Sequence, residues 1–243
     1  MNQALVLQRI KKSYLGTILK KVLFPVLPGW VDEGRKIVQG PHLRKLLEHA
    51  TATPARVENI LNAGAGEGLY SFLLLAVPGV KQVLELDADY LRYARNAHSP
   101  KQRFLAASLT NVPLRDKTVD LILCSEVLEH IHADDTAISE LARVLSPGGW
   151  LLISVPTPPA LFDPAHVREG YSLDDLSKSL VRNGLEIIAV RFCMYAMFQL
   201  FLKRYRQGWV PRIMIYILSW SDGAFPLGRP MDLIILARCP TVS

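Results

Sequence analysis

The sequence predicts an α/β protein, a mostly parallel sheet with helices on both faces. Seven short, nearly continuous apolar runs alternate with helix-like segments between residues 57 and 238. Strands buried on both faces of a parallel sheet have this pattern. The first run ends in a glycine-rich turn, "NAGAGEG" (62–68). In open α/β sheets, ligands bind at the carboxyl ends of strands.

Each element has its own justification. Residues 3–23 interleave Leu5, Val6, Ile10, Leu15, Ile18, Leu19, Val22 and Leu23 with Lys11, Lys12, Lys20 and Lys21, the pattern of a basic amphipathic helix. "FPVLPGW" (24–30) breaks it. A second helix is expected from about 41 to 51, with Pro41 in its first turn. Strands follow at 57–62, 80–86, 102–107, 119–124, 150–155, 185–190 and 231–238. The helices between them fall at 67–77, 89–97, 134–145 and 172–183. The third opens on acids and stops at "SPGG" (146–149). The fourth has a capping box from Ser172 to Asp175, with Gly184 just past its end.

The chain has 243 residues, half of them apolar. That length suits one domain, 1–243, with an N-terminal helical extension (1–53) and an apolar, basic helical insertion (191–230). Neither repeats nor low-complexity tracts occur. Three widely spaced cysteines, Cys124, Cys193 and Cys239, fit a reducing compartment better than a disulfide framework or a zinc site. The start lacks a signal-peptide pattern. The longest apolar stretches, 192–202 and 213–220, are shorter than the roughly 18–20 residues a membrane span needs. A cytoplasmic protein is expected, with peripheral membrane attachment as an added feature. Residues 1–45 hold nine Lys/Arg against two acids, and residues 191–212 hold five and none. Such segregation fits either a basic surface for an anionic partner or two solvated helix faces.

Three readings compete for the glycine turn. A phosphate loop needs Lys and Ser/Thr after the last glycine, but Leu69 and Tyr70 follow Gly68. A dinucleotide site wants G-x-G-x-x-G, and the spacing here is G-x-G-x-G. A tight turn with no ligand also uses glycines. The next strand favours a ligand. It ends in "LELDADYLRYAR", which puts Asp87 nineteen residues after Gly68. A carboxylate there can accept both hydrogen bonds of a ribose diol. Alternatively Asp87 caps the next helix, although Asp89 is available for that.

At this point the chain resembles the class I S-adenosylmethionine-dependent methyltransferases, and most of all the small-molecule branch that includes ubiquinone and menaquinone biosynthesis enzymes. The resemblance covers about residues 55–190 and the last strand. It is carried by "NAGAGEG" (62–68), "LELDADYLRYAR" (84–95), "NVPLRDKTVDLILCSEVLEHI" (111–131), "LARVLSPGGWLLISVP" (141–156) and "HVREGYSLDDL" (166–176). It implies a Rossmann-like seven-stranded sheet with the last strand antiparallel, and S-adenosyl-L-methionine as cofactor. Gly64, Ala65, Gly66 and Gly68 would let the backbone approach the methionine and ribose. Asp87 would hold the ribose hydroxyls and Ala88 would lie against the adenine, with Ser108 and Leu109 at its edge. Cys124 and Ser125 would line the methionine end, with Glu126 at the rim. Two positions depart from the family. Asn62 stands where an acid commonly meets the cofactor's amino group, which should weaken ammonium binding by about 1–2 kcal/mol. Ser108 stands where Asp often contacts the adenine amine.

The protein's task in such chemistry is to hold an acceptor in line with the methyl group and exclude water. A hydroxyl acceptor benefits from a general base. The candidates are His166, His130 and Glu129; each also has a purely structural reading, in packing the lip of the sheet or anchoring a loop. His132 beside Asp134 and Asp135 is too little for a metal site. The expected partner is a small, lipophilic acceptor; the basic amphipathic segments either pack on each other and on the core or contact lipid. Nucleic acid is not expected, because the fourth strand runs into "CSEVLEHI" (124–131) and not into the Asn-Pro-Pro-Tyr type motif of base methylases. A nucleic-acid or protein methyltransferase, or a non-catalytic cofactor-binding member of the fold, is the alternative.

Overall fold

The computed structural model describes residues 30–52, 56–89, 99–160, 163–195, 212–224 and 226–241. The expected helix at 3–23, all but the first residue of the one expected at 89–97, and residues 196–211 of the insertion lie outside these. Seven strands are present: β1 (Asn59–Ala63), β2 (Gln82–Asp87), β3 (Gln102–Ala106), β4 (Val119–Ser125), β5 (Leu145–Pro156), β6 (Glu186–Cys193) and β7 (Asp232–Arg238). The described helices are α1 (Trp30–Thr51), α2 (Ser71–Leu75), α3 (Asp134–Val144), α4 (Leu173–Arg182) and α5 (Arg212–Ala224), with a 3-10 turn at Leu128–His130. The chain divides into two compact units, residues 1–39 with 194–229 and residues 40–193 with 230–243.

The second unit holds the sheet, in the order β3-β2-β1-β4-β5-β7-β6. β1 to β5 run parallel, and β7 pairs antiparallel with both β5 and β6. This is the predicted α/β class with the last strand reversed. Leu61, Ala63, Ile122, Cys124, Leu151 and Ile153 share one core with Ala137, Ile138 and Leu141 of α3 and Leu176 and Leu180 of α4. α2 packs on β1 and β2. β1 is flanked by β2 on one side and by β4 on the other. The chain therefore reverses its progress across the sheet between β1 and β4, and their carboxyl ends bound the crevice where such sheets bind ligands.

Four elements differ from the sequence prediction. Pro41 does not open a helix; it lies inside α1. A proline there removes the N–H that would bond the Ile37 carbonyl four residues earlier. Instead the Ser219 hydroxyl on α5 donates to that carbonyl at 2.8 Å. The helix thus survives its proline because another segment satisfies the orphaned oxygen. α2 is shorter than 67–77 because Gly66 and Gly68 keep left-handed φ. β5 takes in "SPGG" as an irregularity in its pairing with β4, between Val119 and Leu121. β6 continues to Cys193, carried by its partner β7 as far as Asp232. The α4 cap is as expected: Ser172 Oγ accepts from the Asp175 N–H, and Gly184 follows at φ +78°.

Arg143, in the last turn of α3, ties that helix to the segment before β4. Its guanidinium donates to Glu140 Oε1 and Oε2 at 2.8 and 2.9 Å, to the Leu114 and Val112 carbonyls at 2.9 and 2.8 Å, and to Asp116 Oδ1 at 2.6 Å. These hydrogen bonds hold the Glu140 carboxyl below its ordinary range, helped by the Val112 N–H and opposed by burial. Arg143→Met is expected to cost about 2–4 kcal/mol, because two carbonyls and a carboxylate lose their donors. A denaturant titration checks this. A carboxyl whose folded pKa is depressed contributes stability above its unfolded pKa and loses it as pH falls through the folded one. The native protein should therefore lose this increment on acidification below about pH 4.5, while the variant, lacking it, shows a shallower loss.

Candidate functional site

The site is built outward from the end of β1. Gly64, Gly66 and Gly68 stand at φ +71°, +51° and +75°, a region costly to any residue with a Cβ. The Gly64 and Ala65 N–H groups both donate to the Leu86 carbonyl, at 2.8 and 2.9 Å. The Gly66 N–H then donates to Asp87 Oδ2 at 2.9 Å, and the Asp89 N–H to Asp87 Oδ1 at 2.9 Å. The turn and the carboxylate singled out in the sequence are thus joined by a hydrogen bond. Each Asp87 oxygen keeps a second lone pair for an incoming hydroxyl.

The turn has the bareness a ligand needs. No atom lies within 4 Å of the place where a Cβ on Gly66 would stand. At Gly64 the Val127 side chain fills that place. Beside Gly68 sits Ser71, 6% exposed, whose hydroxyl has no hydrogen-bond partner among the described residues. An open glycine cradle, a half-used carboxylate and an orphaned buried hydroxyl around one turn fit an adenosyl group carrying a polar tail. Ala88, exposed, follows Asp87 directly. Past the end of β3, the Ser108 hydroxyl is engaged locally with Thr110, through Oγ1 at 2.8 Å and the N–H at 3.2 Å. Leu109 is buried.

Asn62 and Cys124 lie differently from the sequence reading. Asn62 is 5% exposed, and its Nδ2 donates to Glu85 Oε2 at 2.7 Å across the β1–β2 register. Its amide nitrogen is therefore committed within the sheet. The Cys124 side chain is fully buried in the core, and burial pushes its thiol far up, with Glu129 and Glu126 adding to the effect. Only the Cys124 backbone reaches the strand end. Ser125 hydrogen-bonds Ser154 at 2.7 Å, and Ser154 Oγ donates to Glu126 Oε1 at 3.1 Å. Glu126 holds φ +57°, an uncommon conformation that marks the rim of β4 as constrained.

The catalytic candidates meet at one lip. Glu129 and His130 lie in the 3-10 turn after β4, Glu129 fully buried. His130 Nδ1 lies 3.1 Å from the Ala165 carbonyl. A carbonyl only accepts, so Nδ1 carries the proton and Nε2 faces Glu129 Oε1 at 3.9 Å. The His166 ring packs edge-on against His130 with centroids 4.8 Å apart. One ligand-type atom from each of the three falls within 4.8 Å of the others. A latch holds the segment bearing His166. The Tyr171 hydroxyl donates to Asp134 Oδ2 at 2.7 Å, Arg168 pairs with the same oxygen at 2.9 Å, and the guanidinium lies 4.4 Å above the Tyr171 ring. The Val167 N–H donates to the Glu129 carbonyl at 2.8 Å. Gly170, at φ +101°, passes so close to the Pro156 carbonyl that a Cβ would overlap it.

Sequence reasoning missed Glu85, Gln102, Ser71 and the Tyr171–Asp134–Arg168 latch. Glu85 was visible as a lone charge inside the apolar run "VLEL" (83–86), two residues before Asp87 and on the same face of the strand. The latch joins residues 37 positions apart, which no local pattern reports.

Comparison with known proteins defines the class. Residues 61–153 match the methyltransferase-domain family. A protein of Mycobacterium tuberculosis named "Probable S-adenosylmethionine-dependent methyltransferase" is 31% identical over 143 residues, 54% of this chain and 50% of that one. The malonyl-[acyl-carrier protein] O-methyltransferase of Methylococcus capsulatus is 36% identical over 120 residues, 47% of this chain and 42% of that one. The fatty-acid O-methyltransferase of Mycolicibacterium smegmatis is 31% identical over 150 residues, 60% of this chain and 51% of that one. The chain spans about half the length of these curated relatives. Its fold is shared by the solved structure of the [4+2]-cyclase SpnF, at 20% identity and a TM-score of 0.58, over 83% of this chain and 81% of that one. Residues 61–153 thus match a methyltransferase domain, and the sheet is the one the resemblance implied. These similarities imply S-adenosyl-L-methionine as the cofactor.

Proposed function

We propose that the chain is an S-adenosylmethionine-dependent methyltransferase that methylates an oxygen of a small, lipophilic acceptor. The observation that carries this is the Gly66 N–H bonded to Asp87 at the crevice where the strand order reverses. Asp87 would hold the ribose diol, Gly64, Ala65, Gly66 and Gly68 the methionine–ribose backbone, and Ala88, Ser108 and Leu109 the adenine. The Ser71 hydroxyl and the Asn62 carbonyl are the polar atoms left for the amino-acid end. When bound, the cofactor supplies a methyl group on a positively charged sulfur. The protein's residues orient the acceptor and keep water away.

Two relatives, named as O-methyltransferases of malonyl-[acyl-carrier protein] and of a fatty acid, support an oxygen acceptor on an acyl chain. A carboxylate acceptor needs no base. With a hydroxyl acceptor, His130 Nε2 is the basic atom, and the imidazolium formed there would lie beside the Glu129 carboxylate. His166 packs against that ring and borders the acceptor side.

Membrane contact is part of the same proposal. Tyr216, Ile217 and Trp220 of α5 are exposed, Trp220 at 70%. The sequence around them is basic and acid-free over 191–212. Aromatic residues beside basic charge favour an anionic bilayer surface. Among the described residues no helix is long and apolar enough to cross a membrane.

The test is transfer of a labelled methyl group from S-adenosylmethionine to a long-chain fatty acid held in phosphatidylglycerol vesicles. Base-labile label in the lipid fraction is the expected result, and it should be weaker with phosphatidylcholine vesicles. Failure to bind the cofactor at millimolar concentration overturns the methyltransferase reading. Equal transfer from both vesicle types overturns the membrane part.

A further inference from the structure

Glu85 is an unexpected group in the middle of a sheet. It is 2% exposed and sits on β2, in register with Asn62 of β1. Asn62 Nδ2 donates to one of its oxygens at 2.7 Å, and Gln102 Nε2 of β3 donates to the other at 3.0 Å. Both amides present N–H groups, so Glu85 accepts on both oxygens, as an ionised carboxylate does. Neither donor is charged, and no cation among the described residues forms an ion pair with Glu85. A negative charge buried this way is costly unless something uses it.

Asn62 links that charge to the cofactor crevice. It lies two residues before Gly64. Its nitrogen is spent on Glu85, and no donor among the described residues reaches its carbonyl oxygen. An amide whose N–H groups donate to a carboxylate has a more electron-rich carbonyl.

We propose that Glu85 is the counter-charge of the cofactor site. It fixes the Asn62 amide with its carbonyl oxygen as the acceptor for the cofactor's ammonium group, and it supplies the negative charge from one strand away. The acid that would answer an ammonium group directly from β1 is thereby placed on β2, with Asn62 as the relay. Glu85 is a positioning residue; Asn62 is the group that touches the ligand. This rests on the cofactor assignment above.

The test measures binding of two ligands to the full chain. S-adenosylmethionine carries the ammonium group, and methylthioadenosine shares the adenosyl part without it. Glu85→Gln is expected to weaken S-adenosylmethionine binding about tenfold, or about 1.4 kcal/mol, while methylthioadenosine binding stays within about twofold. Moving the charge back, in the double variant Asn62→Asp with Glu85→Gln, should restore S-adenosylmethionine affinity to within about threefold of the native protein. Equal weakening of both ligands by Glu85→Gln marks a merely structural role and overturns the inference, as does unchanged binding of both. If Glu85→Gln alone does not fold, the double variant decides: retention of methylthioadenosine with loss of S-adenosylmethionine overturns it. A native protein that binds neither ligand defeats the cofactor assignment itself, which is a different outcome.

Discussion

Asp87→Ala should lower the affinity for S-adenosylmethionine about a hundredfold. Two losses combine in it. The ribose hydroxyls lose a charged acceptor, for which hydrogen bonds contribute about 1.5–3 kcal/mol. The Gly66 N–H, now held at 2.9 Å by Asp87 Oδ2, loses the partner that sets the shape of the turn. Asp87→Asn keeps one acceptor oxygen and no charge, so it should fall between, about tenfold weaker than native. Isothermal titration with the cofactor measures both. The melting temperature should drop by only a few degrees in each case, because Asp87 is half-buried at a strand end and outside the core. Affinity within threefold of native in the alanine variant would show that the carboxylate shapes the turn and does not hold the ribose.

Gly64→Ala should destabilise the domain by about 2–5 kcal/mol. The backbone at φ +71° costs an L-residue about 1–2 kcal/mol. The new methyl group would also overlap the Val127 side chain, with Cγ1 only 2.7 Å away, and such overpacking costs about 1–3 kcal/mol. The two terms separate in a second variant. Val127→Ala in the Gly64→Ala background removes the overlap and leaves the backbone strain, so about half of the lost stability should return. Thermal melts of the native protein and the three variants close the cycle. Full recovery in the double variant would mean that the turn relaxes its backbone freely.

The sheet was legible because its strands are apolar on both faces. "VDLILC" (119–124) gave β4 to within one residue, and the glycines at 64, 66 and 68 placed the crevice. Both signals are local. The α1 proline misled because helix interiors usually exclude it, and the Ser219 hydroxyl that compensates lies 182 positions away. Asn62 was recognised as a departure from the family, but its neighbour across the register was not, since strand pairing is invisible before the sheet order is known. The resemblance implies Cys124 at the methionine end of the site. The alternation of β4 sends its side chain into the core with Ile122, which the sequence could not show because β4 is buried on both faces. Glu129, His130 and His166 were each suspected separately. Their meeting depends on a loop held by Tyr171, Asp134 and Arg168.

The smaller compact unit draws on chain from both sides of the sheet-bearing one, residues 1–39 and 194–229. During synthesis, Ile37 emerges long before Ser219. At about 5–20 residues per second, the delay is roughly ten to forty seconds. Throughout that interval the α1 carbonyl beside Pro41 has only water for a donor. The Ile37 carbonyl must therefore wait for its donor while the sheet assembles downstream of it. A ribosome-stalled nascent chain ending before α5 should accordingly expose residues 30–39 to protease, and one extended past β7 should protect them.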